Sequence, residues 1–512
     1  MGSSRQEPSG RPGKNTPSGA KTSAGRGGTS RKGPGPGTNT RTGKGAGPAK
    51  GGVPGGKAGT RKAAARPAEA RGTGGRAAGG GHASLGRAAR SGTPGRRAAT
   101  GGAARRTVIT GIGVVAPNGI GADAFWKSTQ EGISVLDRVS REGCEHLPLR
   151  VGGEVRDLDP GTVVEERFLV QTDRFTHFAM AAADLALADA RLGRGDYEDS
   201  PFGVGVVTAA GSGGGEFGQR ELQQLWGRGS RFVGPYQSIA WFYAASTGQI
   251  SIRGGFKGPC GVVCSDEAGG LDAFAHAAGA IARGTDAVVV GSAEAPLAPY
   301  SVVCQLGYED LSTCDDPARA YRPFTSEACG FVPAEGGAML VAEEESAALR
   351  RGVRPRAYVA GHAATFTGPS RWPESREGLA RSIRGALEGA GCAPQDIDVV
   401  FADALGVPEA DRAEALAITD ALGAHGRRVP VTAPKTGIGR AYCGGPVLDV
   451  AAAVMAMEHG LVPPTPNVFD VCHDIDVVTG RARRIPLRTA LVLSRGLMGS
   501  NAALVLRSAA PA

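Results

Sequence analysis

Beyond residue 106 the sequence predicts an α/β fold whose parallel strands are covered on both faces, and three observations predict it. Short apolar, β-branched runs recur along the chain, Ala-rich stretches with helical spacing fall between them, and this alternation is sustained over about 400 residues. A strand buried on both faces reads as a continuous apolar run, because helices cover both sides of a parallel sheet. That length exceeds what one hydrophobic core usually spans, so two subdomains are expected.

Residues 1–106 come first and differ in kind from the rest. They hold 22 Lys and Arg against two acidic residues, Glu7 and Glu69, amid Gly, Ala, Pro, Ser and Thr, a net charge of +20. The whole chain has 58 basic and 49 acidic residues, so the remainder has 36 and 47 and a net charge of −11. The folded part is therefore acidic. With few large apolar side chains, the first segment cannot bury enough surface to offset the entropy of ordering its backbone, and a disordered basic tail is expected. Such a charge suits phosphates. The segment lacks the aromatic side chains on which single-strand binders stack bases, so no nucleic-acid partner is expected.

The folded pattern begins at Thr107. Strands are expected at 107–112, 202–208, 287–291, 399–402 and 489–493, and helices at 175–192, 271–283 and 447–459. No run of 18 apolar residues occurs and the N-terminus is polar throughout, so the expectation is a cytoplasmic protein with no membrane partner. Nine cysteines without a CxxC pair argue against a disulfide or zinc framework, and most are expected as small, reduced core residues. The pattern calls for no metal and no cofactor.

Two Gly-rich segments stand out. The first, 110–119, follows a strand and carries Gly111, Gly113 and Gly119. A dinucleotide fingerprint needs its third glycine at the opening of a helix, where free amides meet a pyrophosphate. Here Pro117, Asn118 and Gly119 predict a turn instead.

The second, 258–273, is an apolar strand that turns sharply into a helix opening at Leu271-Asp272. A side chain on such a turn is aimed at a helix N-terminus, where the dipole and free amides lower a thiol pKa and stabilise an oxyanion. The position holds Glu267. Cys264, three residues earlier, and Cys443 are expected to be core residues, and His177 and His276 to be packed or solvated.

This second segment resembles the active-site turn of ketosynthases, in which a cysteine lies four residues before the Leu-Asp pair. The resemblance extends through Arg322-Pro323-Phe324, through 330–338 from Gly330 to Ala338, and through the closing 496–504 from Gly496 to Leu504. It covers essentially everything after residue 106. It implies a thiolase-like fold of two similar halves, 107–350 and 351–512, in a layered αβαβα arrangement.

The resemblance also shows what is altered. Glu267 stands at the cysteine's position, Asp403 at that of the first histidine and Arg440 at that of the second, five residues after the family lysine, Lys435. A carboxylate cannot form the thioester that a cysteine forms, and Asp403 with Arg440 cannot replace two imidazoles, so condensation by this chain alone is not expected. The three charges are expected either to form one buried ion-paired cluster or to lie separately solvated. The pattern looks like a chain-length factor of an aromatic, type II polyketide synthase. In that family a catalytic ketosynthase is the heterodimer partner and an acyl carrier protein delivers malonyl and polyketide chains.

Many relatives of this kind carry glutamine at the turn. Glu267 departs from that; unless burial neutralises it, its charge repels a malonyl carboxylate and counts against malonyl decarboxylation, the one catalytic role left open to it. A divergent condensing enzyme or malonyl-carrier decarboxylase, and a binding protein acting through its tail, remain as alternatives. The run 238–245, with Trp241, Phe242 and Tyr243, is read as either core or interface. Gly215, Gly218 and Leu222 share one helical face by their i, i+3, i+7 spacing. In the family that face gates the product tunnel, so two residues without side-chain bulk imply a long product, a decaketide or beyond.

Overall fold

The computed structural model describes residues 105–368 and 372–510. The expected tail lies outside them except for its last two residues. Arg105 donates to the Ile281 and Thr285 carbonyls at 2.8 and 2.9 Å, and Arg106 pairs with Glu345 at 2.5 Å, so contacts with the body begin before Thr107.

Ten strands carry the fold: β1 (Thr107–Ala116), β2 (Val204–Ala209), β3 (Cys260–Val263), β4 (Ala287–Glu294), β5 (Gly336–Glu344), β6 (Ala357–Phe366), β7 (Val399–Phe401), β8 (Pro430–Thr432), β9 (Thr489–Arg495) and β10 (Ser500–Ser508). In the first half the order is β3-β2-β4-β5-β1, with β2 parallel to both neighbours and β5 antiparallel to both of its own. In the second half the order is β8-β7-β9-β10-β6, with the same directions at every step. One topology thus occurs twice, and the halves join where β1 runs antiparallel to β6, Val108 opposite Tyr358. The sheet is mixed, whereas the apolar runs alone suggested parallel strands.

Seven helices matter to the argument: α1 (Arg174–Asp189), α2 (Gly215–Arg228), α3 (Gly269–Ala282), α4 (Pro299–Gln305), α5 (Trp372–Ala390), α6 (Pro408–Leu422) and α7 (Gly444–His459). The middle layer is α3 and α7, whose Leu271, Phe274, Val447 and Val454 share one core with Leu340 of β5 and Val492 of β9. Both helices are apolar nearly all round, as a helix enclosed by sheets on two sides must be. On the outer face of the first half lies α1, with Phe175 and Phe178 against Val206 and Val341. On that of the second lie α5 and α6, with Ile383 and Ile418 against Val400 and Leu491. The layers are therefore αβαβα.

The first Gly-rich segment serves this packing. A Cβ at Gly113 would stand 1.9 Å from the Ala182 carbonyl oxygen of α1, so only glycine lets the helix lie this close to β1. Gly119–Ile120 then pairs back on β1 as a hairpin, with Val115 opposite Ile120, and the next helix, Ala122–Gln130, opens only after that hairpin rather than directly from the strand as in a phosphate loop. Gly113→Val is expected to destabilise the chain by about 1–3 kcal/mol, seen as a lower thermal midpoint, because the added carbons overlap backbone.

All nine cysteines are free, but only Cys144 and Cys443 are buried, which overturns the expectation that most lie in the core. Cys260 and Cys264 are exposed because β3 is the last strand of its sheet and pairs on one side only. Among the described residues no helix is long and apolar enough to cross a membrane.

Candidate functional site

The turn after β3 falls at Asp266, whose φ of 57° lies in the left-handed region, one residue before the position the sequence assigned to it. Glu267 follows with its side chain turned inward, 2% exposed, its Oε2 accepting from the Leu497 amide at 3.0 Å. Met498 N–H reaches the Asp266 carboxylate in the same way. Burial, aided by the neighbouring Asp266 charge, pushes the Glu267 pKa well above the usual carboxylate range despite the pull of Arg440. Burial thus disfavours the charged form of Glu267, the form that counted against malonyl binding.

Asp403, just past β7, pairs with Arg440 Nη2 at 2.8 Å. Arg440 also donates to the Asp403 and Arg495 carbonyls at 3.1 and 2.6 Å. The other side of Asp403 belongs to Arg495, the last residue of β9 and wholly buried. Its Nε lies 3.1 Å and its amide nitrogen 2.9 Å from the Asp403 carboxylate, and its Nη2 lies 3.0 Å from Glu414 of α6. Glu414 in turn accepts from the Asp403 and Ala404 amides at 2.7 and 2.9 Å. Lys435 pairs with Asp449 of α7 at 2.5 Å and donates to the Ala402 carbonyl at 2.9 Å. Burial alone would raise the Asp403 pKa; the guanidiniums of Arg440 and Arg495, with Lys435, overcome it and hold it down to about 2.

The three altered positions are therefore neither one cluster nor separately solvated. Asp403 and Arg440 form a buried pair, and Glu267 is held apart by a backbone amide. Arg495 and Glu414 complete the network, and sequence reasoning missed both. A signal existed for one of them: Arg495 ends an apolar strand, and a charge buried on both faces needs a partner.

Neither cysteine near the turn supplies the missing nucleophile. Cys443 is fully buried, with its thiol 2.9 Å from the Asp266 carbonyl and its pKa pushed up by burial. Cys264 is exposed rather than in the core, and burial of part of its surface with the nearby Glu294 charge raises its thiol too. Both are held as thiols, the unreactive form. Burial lowers His177 to about 4 and His276 is exposed; among the described residues neither bonds to Glu267, Asp403 or Arg440.

Gly215, Gly218 and Leu222 all lie on α2. A Cβ at Gly218 meets no atom within 4 Å, whereas one at Gly215 stands 2.1 Å from Ser301 Oγ of α4. Leu222 is 37% exposed. Two buried carboxylates unremarked in the sequence fix the start of this helix. Asp173 accepts from the Phe217 amide at 2.6 Å, and Glu294, ending β4, accepts from the Gly211 amide at 2.5 Å and from Ser212.

Burial raises Asp173 to about 6 and Glu294 to about 7; it also raises Asp411, which accepts from the Phe324 and Gly406 amides, to about 7. A carboxyl with a raised folded pKa binds more protons folded than unfolded, so its contribution is present below about pH 4 and lost as pH rises through the folded value. The thermal midpoint is expected to fall between pH 5 and pH 8, by the equivalent of a few kcal/mol.

Trp241, Phe242 and Tyr243 are surface residues, 46, 49 and 39% exposed, and not core. Val262 of the edge strand β3 is exposed as well.

Comparison with known proteins gives a consistent answer. The beta-ketoacyl synthase N-terminal domain matches residues 104–348 and the C-terminal domain residues 356–469. A putative polyketide beta-ketoacyl synthase 2 of Streptomyces coelicolor is 72% identical over 81% of this chain and 98% of its own length. The tetracenomycin polyketide synthase ketoacyl synthase beta subunit of Streptomyces glaucescens is 49% identical over 78% of this chain and 98% of its own. Among solved structures, the ishigamide ketosynthase/chain length factor superposes with a TM-score of 0.73 at 27% identity, covering 79% of this chain and all of that one.

Proposed function

The chain belongs to the beta-ketoacyl synthase family, as a beta subunit of the type II polyketide synthase kind, and we propose that it is a chain-length factor that shapes the product tunnel without condensing anything itself. One observation carries the reading: the place of the nucleophile is taken by a buried Glu267 tied to Leu497, and the places of the two imidazoles by a locked Asp403–Arg440 pair. A pocket so filled has neither thiolate nor a proton-transfer base, so carbon–carbon bond formation falls to a partner.

The surface supports a partner. Among the described residues β3 leaves one strand edge unpaired, and Val262, Trp241, Phe242 and Tyr243 are exposed, an aromatic composition typical of interface cores. The partner we assign is a catalytic ketosynthase, in a cytoplasmic heterodimer served by an acyl carrier protein. The free space above Gly218 supports a long product.

The raised pKa of Glu267 also favours a second reading, decarboxylation of malonyl carrier protein, because burial disfavours the anion that would repel the malonyl carboxylate. One reconstitution tests both. Ketosynthase, carrier protein and malonyl donor are combined with and without this chain, and the chain alone is incubated with malonyl carrier protein. Full-length polyketide only in its presence, and no covalent acyl group on the chain by intact mass, is the expected result. Acetyl carrier protein released by the chain alone establishes the second reading; elongation of an acyl group on the chain itself overturns the first.

A further inference from the structure

A cavity of about 260 Å³ opens on the outer layer of the first half, between α1 and the helix Ala245–Gly254. Its apolar wall belongs to the core under α1, across the sheet from α3 and Glu267, so it is no part of the site described above. Met180, Leu187 and Ile250 make that wall aliphatic on one side. Tyr197 and Phe256, with ring centroids 5.0 Å apart, make it aromatic on the other.

The charged rim is uneven. Glu165 and Asp184 both line the cavity and both side chains are half-exposed, so their carboxylates are open to an incoming group. A single guanidinium serves the two: Arg253 lies 2.6 Å from Glu165 through Nε and 2.5 Å from Asp184 through Nη1, while its Nη2 donates to the Val163 carbonyl at 3.2 Å. Two negative charges thus share one positive charge. Asp184 Oδ1 makes no hydrogen bond among the described residues, and Arg194, which also lines the cavity, pairs with neither carboxylate. Burial, with the Glu165 charge, raises the Asp184 pKa in spite of Arg253, as happens to a carboxylate short of counter-charge.

An ion entering a half-apolar cavity must recover what it loses on leaving water, and a counter-charge supplies that. An anion would meet the surplus negative charge, and a neutral molecule would leave it uncompensated. An organic ammonium ion offers N–H donors to the carboxylates, an apolar body to the wall and an attraction for aromatic faces. We propose that this cavity binds a small organic ammonium ion, its head donating to Asp184 and Glu165 and its apolar body lying against Tyr197 and Phe256. The assignment is independent of the chain-length reading, and either can fail alone.

The test titrates the full chain with 2-phenylethylamine, protonated at neutral pH, by isothermal calorimetry. 2-Phenylethanol, the neutral counterpart with the same ring and chain length, is titrated beside it. The amine is expected to bind at one site, about tenfold more tightly than the alcohol, because its hydrogen bonds are charge-assisted. Asp184→Asn keeps an oxygen for Arg253 while removing the charge, so it is expected to fold and to bring the amine down to the affinity of the alcohol. Glu131 is an exposed carboxylate outside the cavity, and Glu131→Gln is expected to leave the affinity unchanged. No binding, equal affinity of amine and alcohol, or an affinity unmoved by Asp184→Asn overturns the proposal. Equal loss in Glu131→Gln does so too, since it would show a cation merely adhering to the acidic body.

Discussion

Arg495→Ala is expected to lower the thermal midpoint of the chain by the equivalent of about 3–5 kcal/mol. Arg495 is fully buried and holds Asp403 on one side and Glu414 on the other, with its Nη1 donating to the Ala410 carbonyl at 2.8 Å and its guanidinium 5.4 Å from the Trp372 ring. Truncation takes from Asp403 one of its two guanidinium partners and from Glu414 its guanidinium partner, and leaves a void where the side chain was. Breaking a buried pair from one side costs about 3–5 kcal/mol, a large share of the 5–15 kcal/mol by which domains are stable. Thermal unfolding of purified protein measures the loss. The double variant Arg495→Met with Glu414→Gln tests the cause. It removes both charges while the glutamine oxygen still accepts from a backbone amide, so it is expected to recover more than half of the loss. A double variant as unstable as Arg495→Ala would show that packing, and not stranded charge, is responsible.

Gly218→Phe is expected to shorten the polyketide by one or more two-carbon units. The side chain enters space where a Cβ touches nothing within 4 Å, and it replaces a helix-interior glycine that costs about 1 kcal/mol relative to alanine. The variant should therefore fold at least as well as the parent while occupying volume at the gate. Gly215→Phe is the uninformative neighbour, since its Cβ meets Ser301 at 2.1 Å and α4 must move to admit it. Product sizing by mass spectrometry of the reconstituted complex decides the matter; unchanged length removes α2 from the account of chain length.

What the sequence disclosed follows from range. Apolar runs and helical spacing are local, so the strands at 107–116 and 489–495 and the helices at 174–189 and 444–459 were legible to within a few residues. The repeated strand order was not, because it depends on pairings between segments far apart in the chain; the resemblance to ketosynthases alone implied it. The run at 258–264 reads as an apolar strand whose Cys264 packs in the core, yet its place at the sheet edge exposes Cys260 and Cys264. At the site, Glu267, Asp403 and Arg440 were found by motif, but their partners were not: Leu497 lies 230 residues from Glu267, and Arg495 92 residues from Asp403. Asp173 and Glu294 read locally as a helix cap and a strand end. Only the fold shows that both hold the amino end of α2.

The repeated halves treat their outermost strands differently. Beyond β8 the second half adds the two-residue strand Asp476–Val477, too short a ladder to recruit another chain, while among the described residues β3 has no partner on its outer side and leaves its backbone amides and carbonyls open to a neighbour. A molecule with one adhesive rim and one blunt rim can add a companion once and then has nothing left to offer. Assembly by this route stops at a pair and cannot run on into a fibre.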